Sequence, residues 1–512
     1  MCYTYYDGTA IKLSFFKLNF NKEVGLKKLL YIQPLNRPWE ETEDTILQPP
    51  RSFFEVLCLI PVLHKISFLD LNLRLKQEPS WSVEKILAEA MENFQPDLIL
   101  LAFPTYAQKV QVEKIIFAIK KIKPEVKIIL GGAVLNLIED APLKRWRWPI
   151  DACYWGNGAQ LSELIEAVLV TNGSCFIFQP DLKAKILDGY KAEEFYTAKG
   201  RFDFEGYLAE ARKVGMTLIA FVEMARSCDS FCNYCAFGIE ASLRRCRKPS
   251  TVLREIYYLA KKGIDYIFII DPTFGMVQGA AEQLLQGLAV FHLKYPEVKL
   301  DVITRAEYVT LAFAKKLKAA GVARCGIGME SMSQKSLDLL AKTSKPQIVR
   351  QAVRNLAAVG IEVRLFHMLL PGNFSQETVE FLLELAHEEI PFVVQSSFLR
   401  PLPTPQSCEE AWEQDRTVFN PAQDTIEQLM EYLLINLAFS SMDLDFENPE
   451  IRELIKKTLE DKKVLKTLFS QSEEGEKIVL KIGEYMCEYM FTESTMHAPM
   501  EQCITLNTKG GD

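Results

Sequence analysis

Two long stretches of the chain alternate short apolar runs with amphipathic helical patterns, and this alternation constrains the fold more than any other feature. In the first stretch, residues 84–94 and 112–122 space their apolar side chains as one face of a helix. The apolar runs around them are LLYI (29–32), KISFLDL (65–71), LILLAF (98–103), KIIL (127–130) and DACYW (151–155). Strand and helix in repeated alternation predict a parallel, doubly wound α/β domain over residues 29–170.

The second alternating stretch predicts a partial barrel over residues 216–405. Helical patterns lie at 250–262, 278–293, 308–320, 346–359 and 375–387. They separate six apolar runs, which are TLIAFVE (217–223), DYIFII (265–270), VKLDVI (298–303), ARCGIGM (323–329), EVRLFHMLL (362–370) and FVVQSSFL (392–399). Six βα units indicate a partial TIM-like (βα)6 barrel, in which the chemistry lies at the carboxyl ends of the strands.

Three further segments complete the predicted organisation. Residues 1–28 are expected to be an N-terminal extension, and residues 171–215 a linker with some helix, because their pattern is mixed and less periodic. From 406 to 512 the pattern is polar and helical, which predicts a helical C-terminal domain. Its sequence says little about chemistry.

Composition narrows the class of protein. The 512 residues carry a net charge of −8, which argues against a nucleic acid as the main partner. No apolar run is long enough for a membrane span, and the first thirty residues lack the apolar core of a signal peptide. The expected location is therefore the cytoplasm, where the twelve cysteines should mostly be reduced thiols.

Three of those cysteines lie in one short segment, Cys228-x3-Cys232-x2-Cys235, directly after the first strand of the predicted barrel. Three thiolates at this spacing can ligate three irons of a [4Fe–4S] cluster and leave the fourth iron open. An open metal position is where a substrate or cofactor coordinates. The alternative is a zinc site completed by Cys246. The basic residues at 244, 245, 247 and 248 suit a loop that faces anionic groups, or a solvated turn, at least as well.

The motif, with aromatic Tyr234 just before its last cysteine, closely resembles that of the radical SAM superfamily. Four more matches follow in order along residues 217–405. Helix capping after a strand would explain Asp271 or Glu330 taken singly, but not the whole ordered set. Asp271 follows the second strand, where the superfamily places residues near the amino group of S-adenosylmethionine (SAM), and Arg305 follows the third. Glu330 and Ser331 lie in GIGMES, which is similar to the GxES stretch of the superfamily. Pro371 and Gly372 are similar to its GLPG turn near the adenine, with Leu370 replacing the first glycine.

This resemblance implies a mechanism and its cofactors. Cys228, Cys232 and Cys235 would hold the cluster, and the open iron would bind the amino and carboxylate groups of SAM. An external electron donor such as flavodoxin or ferredoxin would reduce the cluster, and SAM would be cleaved to methionine and a 5′-deoxyadenosyl radical. That radical abstracts hydrogen from an unactivated C–H bond, while the protein positions the reactants and excludes water.

A doubly wound domain before such a barrel looks like the flavodoxin-like, cobalamin-binding domain of B12-dependent radical SAM enzymes. ILGG (129–132) and YWGNG (154–158) resemble the loops of that family that line the nucleotide tail. The candidate cobalamin contacts are Thr105, Gly131, Gly132, Gly156 and Gly158. Ordinary loop and helix-cap glycines explain these residues about equally well. No Asp-x-His-x-x-Gly motif is present, and Asn157 and Ala159 replace the acidic residues expected in the second loop.

Two reactions fit these features, and the first is favoured. One is cobalamin-dependent methylation of a carbon or phosphorus centre; the other is peptide epimerisation of the proteusin type, in which a cysteine thiol returns hydrogen to Cα. Cys408 is the candidate donor and Cys325 a weaker one, although most free cysteines are simply small buried hydrophobes. A non-catalytic iron–sulfur carrier would explain the cysteines but not the residues at successive strand ends. The substrate would be a small molecule or a ribosomally made peptide.

Overall fold

The computed structural model describes fifteen separate parts of the chain. They are residues 2–6, 9–13, 26–36, 46–60, 64–138, 141–154, 161–170, 176–178, 191–226, 228–230, 232–235, 245–371 and 375–399, together with the two helical residues Gln428 and Glu431. The predicted C-terminal domain at 406–512, apart from those two residues, lies outside the described parts, as do Gly156, Gly158, Gly372 and Cys408.

Seventeen strands are described in these parts of the chain. In chain order they are β1 (Cys2–Tyr6), β2 (Thr9–Leu13), β3 (Lys28–Gln33), β4 (Ile46–Leu47), β5 (Lys65–Asp70), β6 (Leu98–Ala102), β7 (Lys127–Gly131), β8 (Ala152–Tyr154), β9 (Phe176–Phe178), β10 (Thr217–Val222), β11 (Ala225–Arg226), β12 (Arg245–Cys246), β13 (Tyr266–Ile269), β14 (Lys299–Thr304), β15 (Val322–Glu330), β16 (Glu362–Leu369) and β17 (Phe392–Phe398).

The same parts of the chain contain fifteen α-helices, several of which begin at sequence-encoded caps. Ser82 and Thr310 accept backbone hydrogen bonds at two helix starts, and Pro249 and Pro346 occupy first turns, where proline costs no hydrogen bond. The helices are α1 (Arg51–Leu59), α2 (Leu71–Gln77), α3 (Val83–Phe94), α4 (Lys109–Ile122), α5 (Leu135–Ile138), α6 (Ala141–Lys144), α7 (Leu161–Val170), α8 (Ala192–Tyr196), α9 (Phe204–Lys213), α10 (Pro249–Lys261), α11 (Gln278–Lys294), α12 (Leu311–Ala319), α13 (Gln334–Leu339), α14 (Pro346–Ala357) and α15 (Gln376–His387).

The first sheet has the strand order β2-β1-β9-β8-β7-β6-β3-β5. From β9 to β5 all neighbouring strands are parallel, and β1 and β2 add an antiparallel edge. Chain order reverses between β3 and β6, so this is a doubly wound sheet of the flavodoxin type. Every residue of β6 is buried, as expected for a central strand that is covered on both faces.

The second sheet has the order β17-β16-β15-β14-β13-β10-β4, and all of its strands are parallel. From β10 to β17 each strand pairs with the next one along the chain, and α10, α11, α12, α14 and α15 form the connections. The predicted α/β class, with a doubly wound domain followed by a partial (βα)6 barrel, is confirmed. Within the described residues, no helix is long and apolar enough to cross a membrane.

Four short strands that the sequence pattern does not indicate also take part in the two sheets. β1 and β2, from the predicted extension, and β9, from the predicted linker, join the first sheet, while β4 adds a strand to the second. These short strands complete edges through long-range pairing, so they leave almost no local periodicity in the sequence.

The predicted linker is also part of the core that joins the two sheets. On α8 and α9, Phe195, Tyr196, Phe204 and Tyr207 are all buried. They pack among Phe53 and Phe54 of α1, in a hydrophobic cluster that extends continuously from the first sheet to the barrel helices. The two sheets are therefore held against each other by a shared aromatic layer rather than connected by a flexible segment.

Candidate active site

The three-cysteine loop begins just past β10, at the carboxyl edge of the second sheet. β11 and β12 pair antiparallel, Ala225 with Cys246 and Arg226 with Arg245, and so close the base of the loop. Cys228, Cys232 and Cys235 lie between them as partly exposed thiols. In the described residues, no three His, Cys, Asp or Glu side chains form a ready-made metal-binding group. The loop therefore presents the three thiols at the predicted edge of the barrel.

Asp271, directly after Ile270 at the end of the second barrel strand, anchors the chain that leads into this loop. Its Oδ1 accepts hydrogen bonds from the backbone N–H groups of Met224 (2.7 Å) and Ala225 (2.9 Å). The side chain is fully buried, and burial raises the pKa of Asp271 to about 7. Its Oδ2 has no hydrogen-bond partner among the described residues. One carboxylate oxygen thus holds the base of the loop, and the other is available to a ligand.

Buried ion pairs fix the same base from the side of the first domain. Arg226 donates to Glu223 at 2.7 Å and to Glu55 of α1 at 3.0 Å. Behind it, Glu255 of α10 lies 2.5 Å from Arg51 and 2.7 Å from Arg247, which stabilises its charged form and lowers the pKa of Glu255 despite complete burial. Both strands that close the cysteine loop are therefore tied to helices, and one of those helices comes from the N-terminal part of the chain.

Arg305 lies at the carboxyl end of β14 and faces the cysteine loop. Its Nη2 donates to Glu307 at 2.7 Å and to the Thr343 hydroxyl at 2.6 Å. Burial opposes its charge, but Glu307 and the thiols of Cys232 and Cys228 outweigh burial and raise the pKa of Arg305. A permanent positive charge therefore lies close to the first two cysteines.

Two hydrogen bonds hold individual loop residues against neighbouring strand ends. The Cys228 Sγ lies 3.3 Å from the Thr273 hydroxyl, which follows β13. The Tyr308 hydroxyl donates to Asp229 Oδ2 at 2.8 Å from the 3₁₀ turn after β14. These contacts place the loop over the ends of β13 and β14.

Glu330 ends β15 in an unusual backbone conformation. The register with β16 shifts between Gly328 and Glu330, and Glu330 has φ +58°, in the left-handed region that residues other than glycine rarely adopt. Its carboxylate accepts from Lys342 Nζ at 2.8 Å, and the Tyr234 side chain lies nearby. Burial, followed by the charge of Glu330, raises the pKa of Tyr234 well above its usual value. The tyrosine of the cysteine motif therefore lies close to the glutamate of GIGMES.

Ser331 and Pro371, also predicted near SAM, have different surroundings. The Ser331 hydroxyl is buried and hydrogen-bonds to Ser375 at 3.1 Å and to Thr378 of α15 at 3.4 Å. It therefore joins the end of β15 to the start of α15. Pro371 is exposed directly after β16, and Gly372 lies outside the described residues.

Comparison with known proteins agrees with this geometry. Residues 222–385 match the model of the radical SAM superfamily. Residues 222–385 therefore form a radical SAM domain. The matched residues run from the last residue of β10 to α15, so they contain the cysteine loop and every predicted SAM residue of the barrel. Radical SAM domains use a [4Fe–4S] cluster and SAM, and three thiols beside Arg305 and the unpartnered Asp271 oxygen fit that pair of cofactors.

A curated relative is the anaerobic magnesium-protoporphyrin IX monomethyl ester cyclase of Rubrivivax gelatinosus. It is 24% identical over 340 residues, which cover 62% of this chain and 59% of the cyclase. The aligned part of this chain thus spans less than two thirds of the cyclase.

Two solved structures share the fold over both domains. The methyltransferase TsrM of Kitasatospora setae, with cobalamin and a [4Fe–4S] cluster bound, is 14% identical with a TM-score of 0.58, covering 90% of this chain and 100% of TsrM. The cobalamin-dependent SAM radical enzyme OxsB, with aqua-cobalamin bound, is 16% identical with a TM-score of 0.59, covering 90% of this chain and 75% of OxsB. At these identities the likeness shows a common fold.

The candidate cobalamin residues that the structure describes lie together at the carboxyl edge of the first sheet. Gly131 ends β7, and Thr105 is exposed just beyond β6, beside the point where chain order reverses. A Cβ on Gly131 would meet only Tyr154 O, at 3.7 Å. A Cβ on Gly132 would lie 2.0 Å from the carbonyl oxygen of Phe103, so Gly132 is required by the neighbouring loop backbone. Gly131 therefore leaves space at this edge, whereas Gly132 is explained by packing.

Of the two cysteines considered as hydrogen donors, Cys325 and Cys408, the structure describes only Cys325. Cys325 is fully buried within β15, and burial raises the pKa of its thiol far above the ordinary value. Its side chain packs in the core between the sheet and the helices, so Cys325 is the small buried hydrophobe of the alternative interpretation. Cys408 lies outside the described residues, and its role as a hydrogen donor stays a prediction.

Sequence reasoning missed several residues of the radical SAM site. Lys342, Thr273, Tyr308 and Asp229 contact predicted site residues or the cysteine loop, yet none was singled out from the sequence, although Asp229 lies inside the cysteine motif. Lys342 lies in a polar segment, AKTSK, that reads as a solvated loop. The available signal for Lys342 was Gly328, two residues before Glu330. A Cβ at Gly328 would lie 2.6 Å from Lys342 Nζ, so the glycine leaves room for the lysine.

Proposed function

We propose that this protein is a cobalamin-dependent radical SAM methyltransferase that acts on an unactivated carbon or a phosphorus centre. The observation that carries the proposal is the presence, in one chain, of a cysteine loop at the carboxyl edge of a partial barrel and a doubly wound sheet, in a fold shared with the cobalamin-bound structures of TsrM and OxsB. Methyl transfer needs both cofactors, whereas hydrogen abstraction alone needs only the barrel.

In the barrel, Cys228, Cys232 and Cys235 would hold three irons of the cluster. When bound, the cluster supplies the electron that cleaves SAM to methionine and a 5′-deoxyadenosyl radical. The Asp271 Oδ2 would accept a hydrogen bond from the SAM ammonium, since a buried carboxylate oxygen without a partner favours a cationic donor. Arg305 would balance the negative charge that three thiolates bring to this edge.

At the first sheet, cobalamin would lie across the edge between β3 and β6, where doubly wound sheets bind their ligands. Thr105 and Gly131 would line its approach. The histidines within the described residues lie elsewhere: His64 precedes β5, and the others lie on α11, β16 and α15. Thr105 and Gly131, rather than a histidine of the described residues, would therefore be the contacts at this edge.

The remaining parts of the proposal concern partners. The substrate would be a small molecule or a ribosomally made peptide, and a flavodoxin or ferredoxin would supply electrons to the cluster. Cytoplasmic location agrees with a reduced cysteine cluster. Peptide epimerisation with Cys408 as hydrogen donor is the competing reaction.

The deciding experiment is anaerobic purification with cobalamin supplied, followed by desalting and measurement of the cobalamin-to-iron ratio. One cobalamin for each four irons supports methyl transfer and directs the substrate search to products heavier by one methyl group. Four irons without cobalamin contradict the proposal and favour the epimerase. In that case Cys408→Ala, assayed in deuterated water, should abolish deuterium incorporation at Cα of the substrate peptide.

A further inference from the structure

The short loop after α13, from the last helical residue Leu339 to Ser344, contacts three separate parts of the SAM site. The Asn233 side chain of the cysteine loop donates to the carbonyl oxygen of Leu339 at 2.8 Å. Thr343 accepts the hydrogen bond from Arg305, and Lys342 donates to Glu330. One loop thus touches the cysteine motif and the ends of both β14 and β15.

Lys342 of this loop forms a nearly buried ion pair with Glu330. Its side chain is 5% exposed and that of Glu330 is 9% exposed, so the pair is nearly removed from water. A lysine in such a position needs its counter-charge, since an unpaired buried charge is strongly destabilising. The space for the pair comes from Gly328, where a Cβ would lie 2.8 Å from Glu330 Oε1.

The backbone on both sides of this ion pair is held in a rare conformation. Glu330 has φ +58° and Ala341, the residue before Lys342, has φ +51°. Non-glycine residues in this region carry a conformational cost that persists only where surrounding contacts fix them, and such positions cluster at functional sites. The strained backbone aims the two side chains at each other.

We propose that Lys342 is a positioning residue for SAM, acting through Glu330, with Thr343 holding Arg305 in the same way. This inference rests on the proposed radical SAM function and adds residues to it. The Lys342 ammonium holds the Glu330 carboxylate in a nearly buried ion pair, which restricts the rotation of the carboxylate. A preoriented acceptor loses little entropy when its ligand binds.

The test compares SAM binding by reconstituted wild type, Lys342→Met, Glu330→Gln and the double variant. Methionine keeps the length of the lysine stem without its charge. Lys335→Met, on the exposed face of α13, is the matched control. Lys342→Met should keep four irons. Its dissociation constant for SAM, measured by equilibrium dialysis, should rise roughly ten-fold, which is the scale of a lost hydrogen bond between charged groups. The change in the cluster's electron paramagnetic resonance spectrum on SAM addition should shrink in parallel.

The double variant separates positioning from general destabilisation. If Lys342 acts through Glu330, Lys342→Met adds nothing in the Glu330→Gln background; independent, additive losses would overturn the inference. Wild-type affinity in Lys342→Met would overturn it as well, while leaving the radical SAM function intact. Failure of the wild type itself to bind SAM would instead refute the proposed function. If Lys342→Met does not fold, Thr343→Val replaces it, and wild-type SAM affinity in that variant contradicts the inference.

Discussion

Asp271 provides a quantitative test of the site, because its carboxyl group is buried and only one of its two oxygens has a hydrogen-bond partner among the described residues. Two backbone N–H groups bond to Oδ1, but desolvation prevails and raises the pKa of Asp271 from 3.8 to about 7 in the absence of ligands. Since each pKa unit is worth about 1.4 kcal/mol, the ionised form is disfavoured by roughly 4 kcal/mol in the folded protein.

The sign of the resulting pH dependence follows from linkage. The folded state binds the proton more tightly than the unfolded state, so this group stabilises the fold at low pH, and its contribution disappears as the pH rises toward 7. Between pH 5 and pH 8 the apoprotein should lose roughly 2.5 kcal/mol of unfolding free energy through Asp271 alone. In Asp271→Asn this term is absent, because the amide does not titrate.

Urea unfolding of wild-type and Asp271→Asn apoprotein at several pH values measures the difference directly. All other groups titrate equally in both proteins, so the difference in unfolding free energy between them isolates Asp271. It should change by roughly 2.5 kcal/mol over this range, with Asp271→Asn gaining relative to wild type as the pH rises. Parallel pH profiles for the two proteins would show that Asp271 is hydrated, contrary to its position beneath the cysteine loop.

Two further predictions compare matched variants. Gly132→Ala should destabilise the first domain by at least about 2 kcal/mol, because the added Cβ would meet the Phe103 carbonyl and the backbone φ at this position is +151°. Gly131→Ala should leave stability unchanged while reducing cobalamin retention. Equal melting temperatures for the two alanine variants would contradict the first point. Glu255→Gln should lower the free energy of unfolding by about 3–5 kcal/mol, because Arg51 and Arg247 lose a buried counter-charge. Glu384 forms half-exposed pairs with Arg350 and Arg354, so Glu384→Gln should lower the free energy of unfolding by about 1 kcal/mol or less. Similar urea midpoints for these two would refute the role of the buried network.

The sequence predicted those parts of the fold whose physical signal is local. β6 was expected at 98–103 and lies at Leu98–Ala102, because a continuous apolar run is what a strand covered on both faces requires. α14 was expected at 346–359 and lies at Pro346–Ala357, since Pro346 marks its first turn and its apolar side chains share one face.

The aromatic residues at 195–207 join the core through distant partners, which a local sequence pattern does not indicate. Phe195, Tyr196, Phe204 and Tyr207 show no regular period, so the segment resembled a linker. They are buried against α1, which is more than a hundred residues away in sequence. The signal that was present is composition: a flexible linker rarely carries so many large aromatic side chains.

For the site, motif spacing identified the cysteines and the residues at strand ends but not the contacts between them. Tyr234, Asp271, Arg305 and Glu330 were all named from the sequence, and the structure brings them to one edge of the barrel. Lys342 was not named, because an ion pair across twelve residues of chain depends on how a strand end and a loop pack together, and no local pattern records that.

The central claim is that the three cysteines hold a cluster that cleaves SAM, and product analysis tests it most directly. The reconstituted protein is reduced anaerobically with SAM, and 5′-deoxyadenosine and methionine are quantified beside a variant in which Cys228, Cys232 and Cys235 are all alanine. We predict four irons per chain and formation of both products by the wild type, with neither iron nor products in the variant. A wild-type protein that binds no iron, or that leaves SAM intact although its cluster is reduced, would contradict the account.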